Sequence, residues 1–177
     1  MAKASGVKNT EIVELSKFSS KVSSINPHCI CILLKNDLKT PLINPRVYTN
    51  YGKLFGAPQN AIEPGEFACL GFYKTNYLPF GPEGIVSYDL KDFGTTFCVY
   101  FDNPYVGYNK FTMHWMKEGR NVDQDLCRTL SLDKGNIWYA YGNMTWHDMK
   151  SDRCNAIASG FIGEGWTAGL QVVVKNT

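Results

Sequence analysis

The side chains best equipped for chemistry are six cysteines, at 29, 31, 69, 98, 127 and 154, and three histidines, at 28, 114 and 147. Thiolate metal sites need closely paired cysteines such as CxxC, and no such pair occurs. Cys29 and Cys31 stand two apart in the run Cys29-Ile30-Cys31-Ile32-Leu33-Leu34. That spacing puts both on one face of a strand, where they cannot easily bridge each other. Cys98 lies in the apolar strand Thr95–Phe101, and buried reduced cysteine behaves as a small hydrophobe. The thiols are therefore expected to be mostly reduced. His28-Cys29 and His147-Asp148 are adjacent pairs of the kind any chain of this length contains. No P-loop, dinucleotide fingerprint, metalloprotease motif or nucleophile motif accompanies them. The reading is of a protein that is not an enzyme, with no metal and no cofactor, in which His28 is structural.

The second group of interest is aromatic. Ten Tyr, ten Phe and four Trp make 14% of the chain. Tyr105, Tyr108, Phe111 and Trp115 crowd around one turn, with Lys110 and His114 between them. Two readings stay open: rings that hold the fold, and rings that serve an interface with one apolar and one wet side.

These residues must be positioned by a chain of 177 residues, the length of one domain. Hydrophobic residues at 44% and charged residues at 19% fit a globular fold. A net charge of +2 without Lys/Arg clusters argues against a nucleic-acid partner. The first eight residues lack the apolar core of a signal peptide, so the chain is expected to be cytoplasmic or secreted after leader removal. No run approaches the ~18 apolar residues of a membrane span. Asn143-Met144-Thr145 is a glycosylation sequon that matters only in a secreted chain.

The pattern predicts a helix over residues 10–24, capped by Thr10 with Glu11 in its first turn. Ile12, Leu15, Phe18 and Val22 form a stripe at helical spacing, with Glu14, Lys17 and Lys21 opposite. The stripe suits either packing on the domain's own sheet or a membrane-seeking role. After Asn26-Pro27 the pattern turns to strands, over Cys29–Lys35, Pro45–Tyr51, Glu66–Lys74, Gly84–Lys91, Thr95–Asp102, Lys110–Lys117, Asn136–Tyr141 and Thr167–Lys175. Turn signals such as Glu63-Pro64-Gly65 and Phe80-Gly81-Pro82 separate them, as in a sandwich or barrel. A second short helix is predicted over Val122–Leu130, starting near Asn121. The expected organisation is one domain over 1–177, with a helical region at 1–26 and a mostly β sandwich at 27–177.

Residues 84–124 carry a family resemblance. The glycine-led strand Gly84-Ile85-Val86-Ser87-Tyr88 is followed by Asn103-Pro104-Tyr105, Tyr108-Asn109-Lys110-Phe111-Thr112, the Trp115 strand, Lys117-Glu118-Gly119-Arg120 and Asp123-Gln124. This segment resembles the core of the actinoporins. Leu38-Lys39-Thr40 with Tyr48, Glu63-Pro64-Gly65-Glu66 and Asp133-Lys134-Gly135-Asn136-Ile137-Trp138 extend the similarity outward more thinly. The resemblance implies a β-sandwich flanked by two short helices that binds a phosphocholine-headed lipid through an aromatic cluster. It also implies an N-terminal helix that detaches and lines a pore once subunits assemble. On this chain the implied lipid-binding residues are Pro104, Tyr105, Tyr108, Lys110, Phe111, His114 and Trp115. The implied membrane-inserting helix carries Ile12, Leu15, Phe18 and Val22. The sequence departs from the pattern by the extra Gly107, by Phe111 in place of a tyrosine, and by Cys127, Ser131 and Leu132 where the family places three headgroup tyrosines. Headgroup preference is therefore expected to differ. The implied partner is a membrane lipid or a glycan, with homo-oligomers forming on the membrane. The alternatives carried beside the pore former are a glycan-binding lectin of the same fold and an intracellular interaction domain.

Overall fold

A computed structural model describes residues 6–140 and 145–177. Tyr141 and most of the sequon, Asn143 and Met144, lie outside the described residues. Two helices and twelve strands follow in the order α1 (Asn9–Ser23), β1 (Cys29–Asp37), β2 (Leu42–Tyr51), β3 (Lys53–Phe55), β4 (Ala61–Ile62), β5 (Phe67–Tyr73), β6 (Glu83–Leu90), β7 (Thr95–Asp102), β8 (Lys110–Lys117), α2 (Gln124–Ser131), β9 (Trp138–Tyr139), β10 (His147–Lys150), β11 (Ala156–Ile162) and β12 (Thr167–Asn176). They build two six-stranded sheets, β10-β11-β12-β1-β5-β3 and β4-β2-β6-β7-β8-β9. The mostly β class, a sandwich flanked by two short helices, is the one the sequence implied.

The strands show why the sheets face each other. Along β1, Ile30, Ile32 and Leu34 point into the core between the sheets, while Cys29, Cys31 and Leu33 point outward beneath α1. A strand covered on both faces reads as a continuous apolar run, which the Cys29–Leu34 stretch is. The inner faces of β6, β7 and β8 contribute Val86, Tyr88, Phe97, Val99, Phe101, Phe111, Met113 and Trp115 to the same core. The outer face of that sheet packs Ile85, Cys98, Tyr100 and Met116 against Leu126, Cys127 and Leu130 of α2. Cys29 and Cys31 share a face as expected. All six cysteines are unbridged, four buried and two half-buried.

Some boundaries move, each for a local reason. The N-cap of α1 is Lys8, not Thr10: the Glu11 carboxylate accepts the Lys8 backbone N–H at 2.7 Å and fixes the cap two residues earlier. Likewise α2 is capped by Asp123, whose carboxylate accepts Leu126 N–H at 3.0 Å, so it starts later than Asn121. Strand β2 begins before Pro45, because a register shift between Ile43 and Arg46 bulges Asn44-Pro45 out of the ladder, where a missing N–H does no harm. Gly52, at φ 89°, then turns the chain from β2 in one sheet to β3 in the other. A Cβ there would lie 2.7 Å from the Tyr73 carbonyl oxygen.

The apolar stripe of α1 is only partly as drawn. Leu15 and Val22 are buried against β1 and β5, Phe18 meets Phe55 edge-on at 5.6 Å, and Ile12 is exposed. Gly71 makes the approach possible, since a Cβ there would come within 2.6 Å of Val22 Cγ2. Glu11, which interrupts the stripe in sequence, is buried too. It forms a 3.2 Å ion pair with buried Lys35, whose ammonium also donates to the Gly6 carbonyl. Among the described residues no helix is long and apolar enough to cross a membrane.

Candidate functional site

Three loops meet at one end of the sandwich: β5–β6 (residues 74–82), β7–β8 (103–109) and β11–β12 (163–166). They join strands whose ends are in register there, Cys29 beside Thr167 and Tyr73, and Asp102 beside Glu83 and Lys110. Two buried asparagines tie the loops together. Asn103 Nδ2 donates to the carbonyls of Cys29 at 2.9 Å and Trp166 at 2.8 Å. Asn109 Nδ2 donates to those of Gly163 and Gly165, each at 2.9 Å.

His28 completes the knot. Its Nε2 lies 2.9 Å from the Asn103 carbonyl oxygen and 3.1 Å from Asn103 Oδ1. Both partners are acceptors, so Nε2 carries the proton and donates. Its buried Nδ1 has no partner. Gly81 closes over this point: a Cβ would fall 1.7 Å from the Asn103 carbonyl oxygen and 2.6 Å from His28 Nε2.

Rings are stacked on this polar base. His28 lies parallel to Trp166 at 5.5 Å and 8°, and Tyr105 joins both, at 5.5 Å from Trp166 and 5.8 Å from His28. Lys74 Nζ sits 5.7 Å from the Tyr105 ring centre. On the other side Phe80 stacks on Tyr51 at 4.4 Å. The outer surface of the loops is apolar: Tyr77, Leu78 and Phe80, then Tyr105, Val106 and Tyr108, then Trp166 are exposed.

A cleft of about 290 Å³ opens beside this surface between Tyr51, Phe80 and Tyr105, with Pro104, Glu83 and Asp102 in its wall. Glu83 accepts from Asn50 Nδ2 and from the Tyr100 hydroxyl, each at 2.7 Å. Asp102 pairs with Lys110 at 3.1 Å, yet burial holds its carboxyl above the usual carboxylate range. Rings flanked by carboxylates suit a cation, the best match being a quaternary ammonium. A second, polar cleft of about 310 Å³ shares Tyr51 and Glu83 and runs along α2 past Arg128, Cys127 and Ser131.

The structure divides the residues singled out by sequence. Tyr105 and Tyr108 stand on the exposed loop surface and Pro104 borders the cleft. Lys110 is occupied by Asp102. Phe111 and Trp115 do not join them: they point into the core at 1% and 5% exposure. The alternation of β8 is the reason, because every second residue of a strand faces inward. Phe111 packs on Trp138 at 5.3 Å, and Trp115 packs on Phe97 at 4.9 Å and donates its Nε1–H to the Met149 carbonyl. His114 lies on the opposite face of β8, half-buried, where desolvation and then Arg120 lower its pKa. Cys127 is buried beneath α2, whereas Leu132 is exposed. Sequence reasoning missed Trp166, Tyr77 and Phe80 as site residues. Their signal was aromatic side chains inside turn segments, away from strands that would bury them.

No protein-family model and no curated protein matches the chain. Among solved structures, the lipid-binding protein Nakanori aligns over 95% of this chain and 82% of its own, with a TM-score of 0.76 at 15% identity. The two share a fold. Looser matches are the RahU protein in complex with a TRIS molecule (TM-score 0.46, 10% identity, 85% of this chain and 96% of that one) and IP-1A from Alcaligenes faecalis (0.44, 14%, 85% and 91%).

Proposed function

We propose that this chain binds membrane lipid through its loop face. The observation that carries the reading is the set of seven apolar side chains on three loops, each 45% exposed or more, mounted on a buried polar base that cannot easily give way. Contiguous apolar patches of this kind mark interaction sites, and Tyr and Trp suit the bilayer interface. A fold shared with a lipid-binding protein supports the same reading. In it, the Tyr51, Phe80 and Tyr105 cleft takes a headgroup ammonium, with Glu83 as the counter-charge in its wall.

The finer part of the proposal is pore formation. Subunits assemble on the membrane and α1 leaves the sheet, where Leu15, Val22, Phe18 and the Glu11–Lys35 pair hold it. What supports this is that α1 is a peripheral element on the outer face, covering Cys29, Cys31 and Leu33 without entering the main core.

Co-sedimentation with phosphatidylcholine vesicles tests the binding step. The triple variant Tyr77→Ser, Val106→Ser, Tyr108→Ser should lose binding by more than about tenfold while keeping its melting temperature. Undiminished binding would move the contact surface elsewhere. Dye release from the same vesicles tests the pore: binding without release leaves lipid recognition and removes the pore. Glycan binding without vesicle binding would favour the lectin reading instead.

A further inference from the structure

We propose that the loop face carries a second headgroup site, for a lipid whose headgroup is net anionic, such as phosphatidylserine, between Lys53 and Lys74. This rests on the membrane-binding reading above. A pocket of about 220 Å³ lies on the α1 side of the β5–β6 loop, lined by Lys53, Lys74, Asn26, Thr75, Asn76 and Tyr77 among others, none of them acidic. It is smaller than sites for drug-sized ligands and fits a compact group.

Its charge is unbalanced. Lys17, Lys35, Arg46, Lys110 and Arg153 each have a carboxylate within ion-pair distance. Among the described residues Lys53 and Lys74, like most of the other lysines, have none; what sets this pair apart is that they share the wall of one pocket, where the Lys74 ammonium also reaches the Thr75 carbonyl. The β3–β5 register sets Lys53 opposite Tyr73, the residue before Lys74, and both lysines line the pocket. Two lysines in the wall of one pocket, with no carboxylate there, favour an anion in it.

The surrounding donors are fixed in place. Lys74 N–H donates to the His28 carbonyl at 2.9 Å, and Asn26 Nδ2 donates to the Lys74 carbonyl and to Asn76 Oδ1, each at 3.1 Å. With its oxygen taken, Asn76 keeps an amide N–H₂ to donate, next to the Thr75 hydroxyl. Ammonium, amide and hydroxyl donors with no carboxylate match phosphate and carboxylate oxygens, whereas the two lysines repel the choline cation that phosphatidylcholine carries on its phosphate. The pocket shares Tyr77, 98% exposed, with the apolar rim. A ligand in it would thus sit at the depth of headgroups when the rim enters the bilayer. The phosphate is therefore assigned to lipid, not to a free anion.

The test compares vesicles of phosphatidylcholine alone with vesicles that also contain phosphatidylserine. The double variant Lys53→Gln, Lys74→Gln should lose roughly thirtyfold in affinity for the phosphatidylserine vesicles, and Lys53→Gln alone, which leaves Lys74 over the Tyr105 ring, should lose about fivefold on them and little on phosphatidylcholine alone. A charge-matched control, Lys91→Gln with Lys117→Gln, changes two exposed lysines at the opposite end of the sheet and should lose little on either. Equal losses in the double variant and the control, or none in the double variant, would overturn the site. So would wild-type binding that is indifferent to phosphatidylserine, which leaves the membrane reading standing. Binding to neither vesicle would remove both. Inorganic phosphate that saturates the two lysines in an NMR titration, while vesicle binding ignores their loss, would assign the pocket to free phosphate and overturn the lipid source.

Discussion

Phe111 faces Gly160 across the core so closely that a Cβ on the glycine would fall 2.8 Å from Phe111 Cε2 and 3.1 Å from Met113 Sδ. The two sheets are spaced for a hydrogen at position 160. Gly160→Ala should therefore destabilise the fold by about 1–3 kcal/mol, as overpacking does. Denaturant midpoints check it. Combining Gly160→Ala with Phe111→Leu should recover part of the loss, and a simple additive loss would mean that the clash lies elsewhere.

Neighbouring aromatics on one segment should behave oppositely. Phe111→Ala empties a fully buried site and is expected to remove about 3–5 kcal/mol of stability. Tyr108→Ala, at an exposed position, should change stability by under about 0.5 kcal/mol and act on vesicle binding instead. Thermal melts with co-sedimentation separate the two effects.

The buried pair Glu11–Lys35 makes α1 sensitive to single substitutions. Glu11→Ala leaves the Lys35 ammonium in the interior with only Asp37, at 3.5 Å, as a carboxylate partner. A loss of about 3 kcal/mol is expected, the low end for a broken buried pair. The double change Glu11→Leu, Lys35→Met should be close to neutral. Urea unfolding measures both, and a neutral single variant would show that the pair contributes nothing.

Alkaline stability should fall in a defined window. Burial pushes the thiols of Cys98 and Cys127 up to about 12 and that of Cys69 up to about 11, from an ordinary value of 9.0. The folded state therefore holds protons that the unfolded chain releases first. The stabilisation is complete below pH 9 and is lost as pH rises through the folded values. Urea midpoints should drop between pH 9 and 11, and Cys98→Ala should flatten the slope. An unchanged slope would show that Cys98 is not among the groups responsible.

The sandwich was legible because its central strands, Cys29–Lys35, Thr95–Asp102 and Lys110–Lys117, are apolar enough to declare themselves. Strand β11, Ala156-Ile157-Ala158-Ser159-Gly160-Phe161-Ile162, escaped notice because its small residues have low strand propensity. They are small so that the opposite sheet can approach, as Gly160 shows. The site was half legible. The crowding of rings around a turn marks Tyr105 and Tyr108, which the structure leaves exposed, but the period-two alternation of β8 sends Phe111 and Trp115 inward. Trp166 reaches Tyr105 only through pairing of distant strands, and no local pattern announces that contact.

The parallel pairing of β1 with β12 has a kinetic consequence. Thr167 donates to the Pro27 carbonyl across 140 residues of sequence, and β1 has β12 on one side and β5 on the other. One edge of the first-made strand of this sheet must therefore wait, its backbone N–H and C=O groups unpaired, until residues 167–176 have left the ribosome. Contacts of such long range slow folding and expose sticky intermediates. Refolding of this domain is expected to be slow for its size, with the sheet centred on β1 closing last.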